Sequence, residues 1–451
     1  MPNRTNGSNR PVTTNRNTGI SNRNTGMGRT ANTATSGRAI GGTGTRPSAG
    51  GHANIPRRAP AGKTVALRTG GSASIRPNGK LRSIDRGGTH IQYNARGGRT
   101  VSTVHNGAHV VTTGSHRGYV QRPYVVRNGR TYVQRTYVVN HVTYSAAYRS
   151  YYYRGGYYYA YAPAYYYHPV FYGWAYNPWP APVYWSWGWT PVAYPWYGYY
   201  GYYFAPYPAY PSAAYWLTDY LIAANLQAAY AAHSDEGPAD DNTAANDQPS
   251  QPNDSQASGN QQTVALSPEV KEAIAQEVKA QLSAEQAATG NSNNGAQAAG
   301  VGNDTPPALD PALRTFVVSS ALEVSGTDQD CTLTPGDVVT RITDVPDEDQ
   351  KVTVAVTSSK KADCAAGQQV LVAVQDLQEM HNHFREQLDA GLKELAAKQG
   401  KDGLPPAPDV TTIAGEIPPP AVDATAAKSL QDQESAADQT EKDVSRETSG
   451  S

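Results

Sequence analysis

The chain has 451 residues, 42 of them Gly, 32 Pro and only 4 Phe, with a mean hydropathy of −0.59. Its apolar content is Tyr and Ala more than Leu, Ile and Phe, which excludes a conventional core over much of its length: too little apolar surface is present to offset ordering entropy. The net charge of zero is the sum of a basic head (residues 1–155, 24 Lys and Arg against Asp85, +23), a middle without Lys or Arg (residues 156–233, Asp219 its one acid) and an acidic tail (residues 234–451, 14 Lys and Arg against 36 Asp and Glu, −22).

That polarity predicts a polyanionic partner for the basic end, or head-to-tail association between copies. No apolar run reaches the ~18 residues of a membrane span. Residues 1–63 are Asn/Thr/Gly/Arg-rich without periodicity and read as a disordered basic leader. Their first stretch, MPNRTNGSNRPVTTNRNTG, has no apolar h-region and does not read as a secretory signal.

Over residues 64–144, turn signals recur about every nine to eleven residues, at Asn78-Gly79, Gly87-Gly88, Gly97-Gly98, Asn106-Gly107, Gly118 and Asn128-Gly129. Alternating runs such as THIQYNA and RTVSTVH lie between them. The pattern predicts an antiparallel meander of about six to eight short strands; the alternative is a disordered repeat with transient hairpins. Residues 119–139, YVQRPYVVRNGRTYVQRTYVV, nearly duplicate themselves about Asn128-Gly129, a type I′ turn signal. Folding there sets Val125 against Tyr132, Tyr124 against Val133 and Val120 against Tyr137. It also sets Arg122 against Arg135 and Arg127 against Arg130, and like charges face to face are destabilising. Arg82, Arg86, Arg96, Arg99, Arg117, Arg149 and Arg154 share this region, so Arg122, Arg127, Arg130 and Arg135 become candidate polyanion-binding residues. Candidate ligands are acidic polysaccharide, lipopolysaccharide, DNA or the acidic tail of another copy. Ordinary solvated arginines are the alternative.

Residues 145–210 form a Tyr/Trp/Gly/Pro-rich aromatic block with six of the seven Trp. Its scattered Pro and Gly predict extended or turn-rich chain with stacked, half-wet rings and not a core. Residues 211–233 read as an amphipathic helix, interfacial or packed, with Ser212 as N-cap candidate. An acidic linker follows at 234–265. A helix at 266–286 opens on Ser267-Pro268 and carries Val270, Ile274, Val278 and Leu282 four apart. After a linker at 287–312, residues 313–399 read as an independently folded α+β domain, β-barrel-like strands followed by a helix with a Leu377/Met380/Phe384/Leu388/Gly391/Leu395 stripe. Residues 400–451 read as a disordered acidic tail. The fold class is thus mixed and largely low-complexity: a β meander, isolated helices and a small C-terminal α+β domain.

Cys331 and Cys364 lie in similar contexts within that domain and are assigned to a disulfide, with two reduced, half-buried thiols as the alternative. His381 and His383, two apart on a helix, face different sides and read as solvated. Asp337, Asp344, Asp347, Glu348 and Asp349 read as a solvated turn. No nucleophile, zinc or phosphate-loop motif is present, so no catalytic residue, metal or cofactor is assigned.

LTPGDVV resembles the turn that opens a strand in PDZ-like domains. More broadly, the Gly/Arg-rich leader, GYVQRPYVVRNGRTYVQRTYVV, the YYY/YGW/PW block, WLTDYLIAANL, LSPEVKEAIAQEVKAQL and CTLTPGD…DCAAGQQVLVAVQDLQEMHNHFREQLDAGL follow in one order. That order is similar to uncharacterised secreted or envelope-associated proteins of environmental bacteria, over most of residues 64–405. The resemblance implies export and a non-catalytic role and brings no activity or site; the missing signal points to a start further upstream or to a fragment. The expected function is that of a non-enzymatic structural or adhesive protein, extracellular, periplasmic or outer-envelope, with a polyanion-binding β region and a self-associating or carbohydrate-packing aromatic block. The alternative is a nucleic-acid-associated, condensate-forming protein that uses Arg-Gly-Gly at 86–88, 96–98 and 154–156 beside tyrosines.

Overall fold

The computed structural model describes residues 63–449 except 69, 77, 94–97, 106, 114–116, 140–141, 236–264, 291–304, 327–329 and 361–363. All but the last residue of the expected leader (1–63), most of the acidic linker (234–265) and much of the 287–312 linker therefore lie outside the described residues. The recurring turns do set a meander. Ten antiparallel strands pair in sequence order: β1 (Lys63–Ala66), β2 (Ser72–Ile75), β3 (Leu81–Arg86), β4 (Thr89–Tyr93), β5 (Arg99–His105), β6 (Ala108–Thr113), β7 (Arg117–Arg127), β8 (Arg130–Val139), β9 (Val142–Tyr153) and β10 (Gly156–Ala162). The last two carry the sheet into the aromatic block. Asn128 and Gly129, both at positive φ (51° and 73°), turn β7 into β8 as their type I′ signature requires.

The register of that hairpin differs from the one expected. Arg127 faces Arg130 and Val125 faces Tyr132, but Val133 pairs with Pro123, which leaves Tyr124 as a bulge. Proline has no N–H to give the ladder, and strands absorb it at bulges. The extra residue slips everything before it by one place: Gln121 faces Arg135, Arg122 faces Gln134 and Val120 faces Thr136. Arg122 and Arg135 therefore do not confront each other; they project from opposite faces of the sheet.

The aromatic block is largely a core, contrary to expectation. After β11 (Tyr165–Tyr167), α1 (Pro169–Tyr176) and α2 (Pro195–Tyr200), it packs with α3 (Ala213–Asp235) and α4 (Pro268–Gly290). Phe171, Tyr172, Tyr203, Phe204 and Tyr210 are almost fully buried among Trp216, Leu217, Ile274, Val278, Leu282 and Leu388. Three helices supply the aliphatic surface that the block lacks, and phenol groups find partners inside: Tyr210 donates to Asp219 (2.7 Å) and Tyr203 to the Gly336 carbonyl (3.3 Å). Asp219 is also paired with Lys271 at 2.8 Å. Residues 176–195 keep an exposed outer side, where Tyr184 and Val192 stand in water.

A second antiparallel sheet, in the order β12-β15-β16-β17-β13-β14, consists of β12 (Thr315–Val317), β13 (Leu322–Gly326), β14 (Asp330–Leu333), β15 (Val338–Arg341), β16 (Lys351–Ser358) and β17 (Gln369–Ala373). It leads into α5 (Val374–Lys398). Cys331 and Cys364 are joined by a disulfide. The unit is not independent, however. At 1.5 Å per residue α5 is about 37 Å long, more than this sheet covers. Leu377 and Met380 pack on the sheet, while Phe384, Leu388, Leu392 and Leu395 enter the aromatic core. Asp337, expected in a solvated turn, is fully buried against Lys360 (3.0 Å) and accepts from the Thr334 amide (2.7 Å).

The C-terminal tail is ordered too. β18 (Thr412–Ala414) pairs with β11, and α6 (Ala426–Ser449) lies across the large sheet with Leu430, Ala437 and Val444 buried. No helix among the described residues is long and apolar enough to cross a membrane. The disulfide closes a separation of 33 residues. Reducing it in the intact chain is expected to remove about 3–4 kcal/mol on the chain-entropy model, seen as a lower melting temperature; equal melting of oxidised and reduced protein would contradict this.

Candidate functional site

The densest polar chemistry lies where α5 crosses one face of the large sheet. Arg135 is buried there. Its guanidinium sits 4.6 Å from the Tyr119 ring centroid and 4.3 Å from that of Tyr148, and both arms donate to Glu379 (2.6 and 2.8 Å) while Nε donates to Gln121 (2.8 Å). A planar, permanently charged fork is suited to this double task of stacking and bidentate pairing. Beside it Tyr148 donates to Glu386, and the Tyr137 and Tyr148 hydroxyls share a hydrogen bond of 2.7 Å. Tyr161 donates to Asp389 (2.7 Å), and Arg385 pairs with Glu285 of α4 (3.0 Å). Asn382 meets the open backbone edge of β10: its Nδ2 donates to the Tyr159 carbonyl (2.7 Å) and its Oδ1 accepts from the Tyr161 amide (2.9 Å). The exposed edge is closed by a side-chain amide.

Burial works against the Arg135 charge, but Glu379 outweighs it and holds the guanidinium pKa well above its ordinary value. Burial pushes Glu386 up to about 7, although Tyr148 and Arg135 favour its anion. Asp389 is raised by burial and by the nearby Glu285. Burial lowers His381 to about 3, with Arg385 adding to the effect, and His383 to about 4. Both histidines are therefore neutral members of a packed layer and do not lie on a solvated face. No group of three or more His, Cys, Asp or Glu that could hold a metal ion occurs among the described residues.

The opposite face is covered by α6 and the segment before it. Arg122 pairs with Asp423 (2.7 Å), Arg99 with Asp438 and Glu441 (2.6 Å each), and Arg86 reaches Asp443 (3.9 Å). Arg130 pairs with Glu416 (3.0 Å), and Arg82 with Asp330 of the second sheet (2.6 Å). Of the four candidate polyanion-binding arginines, the structure thus places Arg122, Arg130 and Arg135 against three different carboxylates on two faces, and leaves the Arg127 side chain exposed. They form no common ladder. Arg86-Gly87-Gly88 and Arg154-Gly155-Gly156 are hairpin turns, while Arg96-Gly97 lies outside the described residues.

Sequence reasoning missed Glu379, Glu386, Asp389 and the α6 acids as partners of the sheet. The signal that could have found them was the near-equal and opposite charge of head and tail, which is matched within one chain.

Replacing Arg135 by Met strands Glu379. The expected loss is about 2–3 kcal/mol, below the full penalty for a buried ion, because Glu379 keeps 33% of its side-chain surface exposed. Urea unfolding of Arg135→Met and of Arg135→Met/Glu379→Leu checks this, the double variant regaining much of the loss. Glu386 supplies a second test. A carboxyl raised from 4.5 to about 7 stabilises the fold fully below the lower value, and that contribution disappears as pH rises through the higher one. The depressed histidines act in the opposite sense, losing stability as pH falls below 6.5, but do so equally in a Glu386→Gln variant. The fall in melting temperature between about pH 5 and about pH 8 is therefore expected to be smaller in Glu386→Gln than in wild type.

No protein-family model, curated protein or solved structure matches this chain.

Proposed function

We propose that this chain is a non-enzymatic structural or adhesive protein of the cell envelope or extracellular space, whose arginine-bearing sheet engages polyanions. The observation that carries the proposal is the use made of its charge. Arginines of one sheet reach carboxylates 244 to 342 positions away and join four layers into one body. A disulfide within the second sheet suits an oxidising compartment. The outer side of residues 176–195, where Tyr184 and Val192 are exposed, offers an uncharged surface for packing on carbohydrate or on another copy.

Fractionation of cells expressing the full-length gene, with thiol labelling of Cys331 and Cys364, tests the location. The expected result is protein in the envelope or medium with both thiols blocked; cytosolic protein with free thiols overturns it. Retention of purified protein on immobilised heparin, falling steeply as salt is raised, tests the polyanion component.

A further inference from the structure

The face beneath α6 is a shallow trough. Cross-strand pairing lines up Ile84, Ile91 and Val101, and the same row continues through Thr112 and Gly118 to Val138. Arg99 lies two positions to one side of that row, and Arg86 two positions to the other. Arg122 lies further out on the same side as Arg86. Gly118 makes the dip: a Cβ there would stand 2.8 Å from Leu430 Cδ2. At about 4.8 Å per strand, the row runs for roughly 24 Å across β3 to β8.

Its present occupant is held lightly for its length. Over 24 residues α6 buries Ala426, Leu430, Ala437 and Val444, whereas α5, of similar length, buries Phe384, Met380 and a run of leucines. What remains is one buried amide, Gln433, which donates to the Val101 carbonyl (2.6 Å) and accepts from Thr103 (3.1 Å), and ion pairs partly in water: Arg99 and Asp438 keep 24% and 54% of their side-chain surface. Pro418–Pro420 separate α6 from Ile417, which is buried on β8 and β9, so the helix can leave while the segment before it stays.

We propose that α6 is a displaceable acidic cover, and that the ligand which displaces it is a linear acidic polysaccharide seated in the trough. This rests on the polyanion reading above and states how that site is regulated. Shape and floor select the ligand class. The strip of sheet that α6 covers is as wide as one helix, about 10 Å, and so matches a single extended chain better than a nucleic-acid duplex. Single-stranded nucleic acid binds on successive aromatic stacking platforms, whereas the row from Ile84 to Val138 carries no ring and Tyr93 packs beside it. A flexible sugar chain can set its C–H faces on Ile84, Ile91 and Val101 while its anions replace Asp438, Glu441 and Asp443 on Arg99 and Arg86. Apparent affinity is then the intrinsic affinity multiplied by the fraction of molecules with α6 released.

The test uses the full chain and a heparin octasaccharide, with neutral dextran and a single-stranded oligothymidylate as controls. Amide hydrogen exchange in wild type is expected to speed up over residues 426–449 when the octasaccharide is added, with β5 to β8 remaining protected. Asp438→Asn/Glu441→Gln/Asp443→Asn is expected to bind it about tenfold more tightly or better. Binding of equal strength in both proteins with α6 still protected would overturn the cover while leaving polyanion binding on another surface intact. No binding by either protein would overturn both. Release of α6 by oligothymidylate as readily as by heparin would overturn the choice of polysaccharide. The exchange measurement on wild type decides the matter even if the triple variant fails to fold.

Discussion

Arg135 stands beneath α5 with its guanidinium between two tyrosine rings and both arms on Glu379, a partner 244 positions later in the chain. A buried guanidinium left without its carboxylate is strongly destabilising, so β7 to β10 cannot reach their final packing until α5 arrives. A milder pairing joins the other face, where the partly exposed Arg122 and Arg99 meet Asp423 and the acids of α6. The meander has a local topology, strand beside successive strand, yet its charges are satisfied only by the most distant parts of the sequence. Local strand pairing and non-local charge pairing are thus separate requirements, and the second is met last because its loops are longest.

The aromatic block obeys a related logic. Tyrosine is a poor core residue where its hydroxyl is stranded, and a good one where a carboxylate or carbonyl is supplied at the right depth. Asp219 on α3 does this for Tyr210, and also accepts from the Tyr207 amide at 2.5 Å. Lys271 of α4 compensates the buried anion. Residues 156–210, which hold no Lys or Arg, become ordered because two flanking helices bring one acid and one base to them. Trp187, stacked on Trp189 at 4.5 Å and lying 4.6 Å from Trp216, extends the same packing toward the surface.

Much of the architecture was legible in sequence where it depended on local rules. Gly-bearing turns at regular spacing gave the meander, the Val270/Ile274/Val278/Leu282 stripe gave α4, and Asn128-Gly129 gave its hairpin. What could not be read was what required a partner. Composition alone said that 145–210 and 400–451 lacked the apolar surface to order themselves, which is true of each in isolation; α3 to α5 complete the first and the large sheet completes the second. The candidate site was half legible. Arginines with almost no acids nearby marked the sheet as a cation store, but their supposed ladder depended on a register that Pro123 breaks. A single bulged Tyr124 separates Arg122 and Arg135 onto opposite faces, and no pairwise count of cross-strand partners can anticipate a bulge without weighing the donor that proline lacks.

The two covers of the large sheet differ in kind, and the difference follows from solvent. Under α5 the charges are stacked between rings, doubly hydrogen-bonded and shielded, with Arg135 retaining 2% of its side-chain surface. Under α6 the pairs stand at the rim, where mobile ions screen them within about 10 Å at ordinary ionic strength. Rim pairs contribute little each and gain from number; a buried bidentate pair fixes one geometry and punishes its loss. A sheet fastened by the second kind of contact on one face and by the first on the other has a permanent side and a removable side. The acids on the removable side are themselves the best available description of what could replace them.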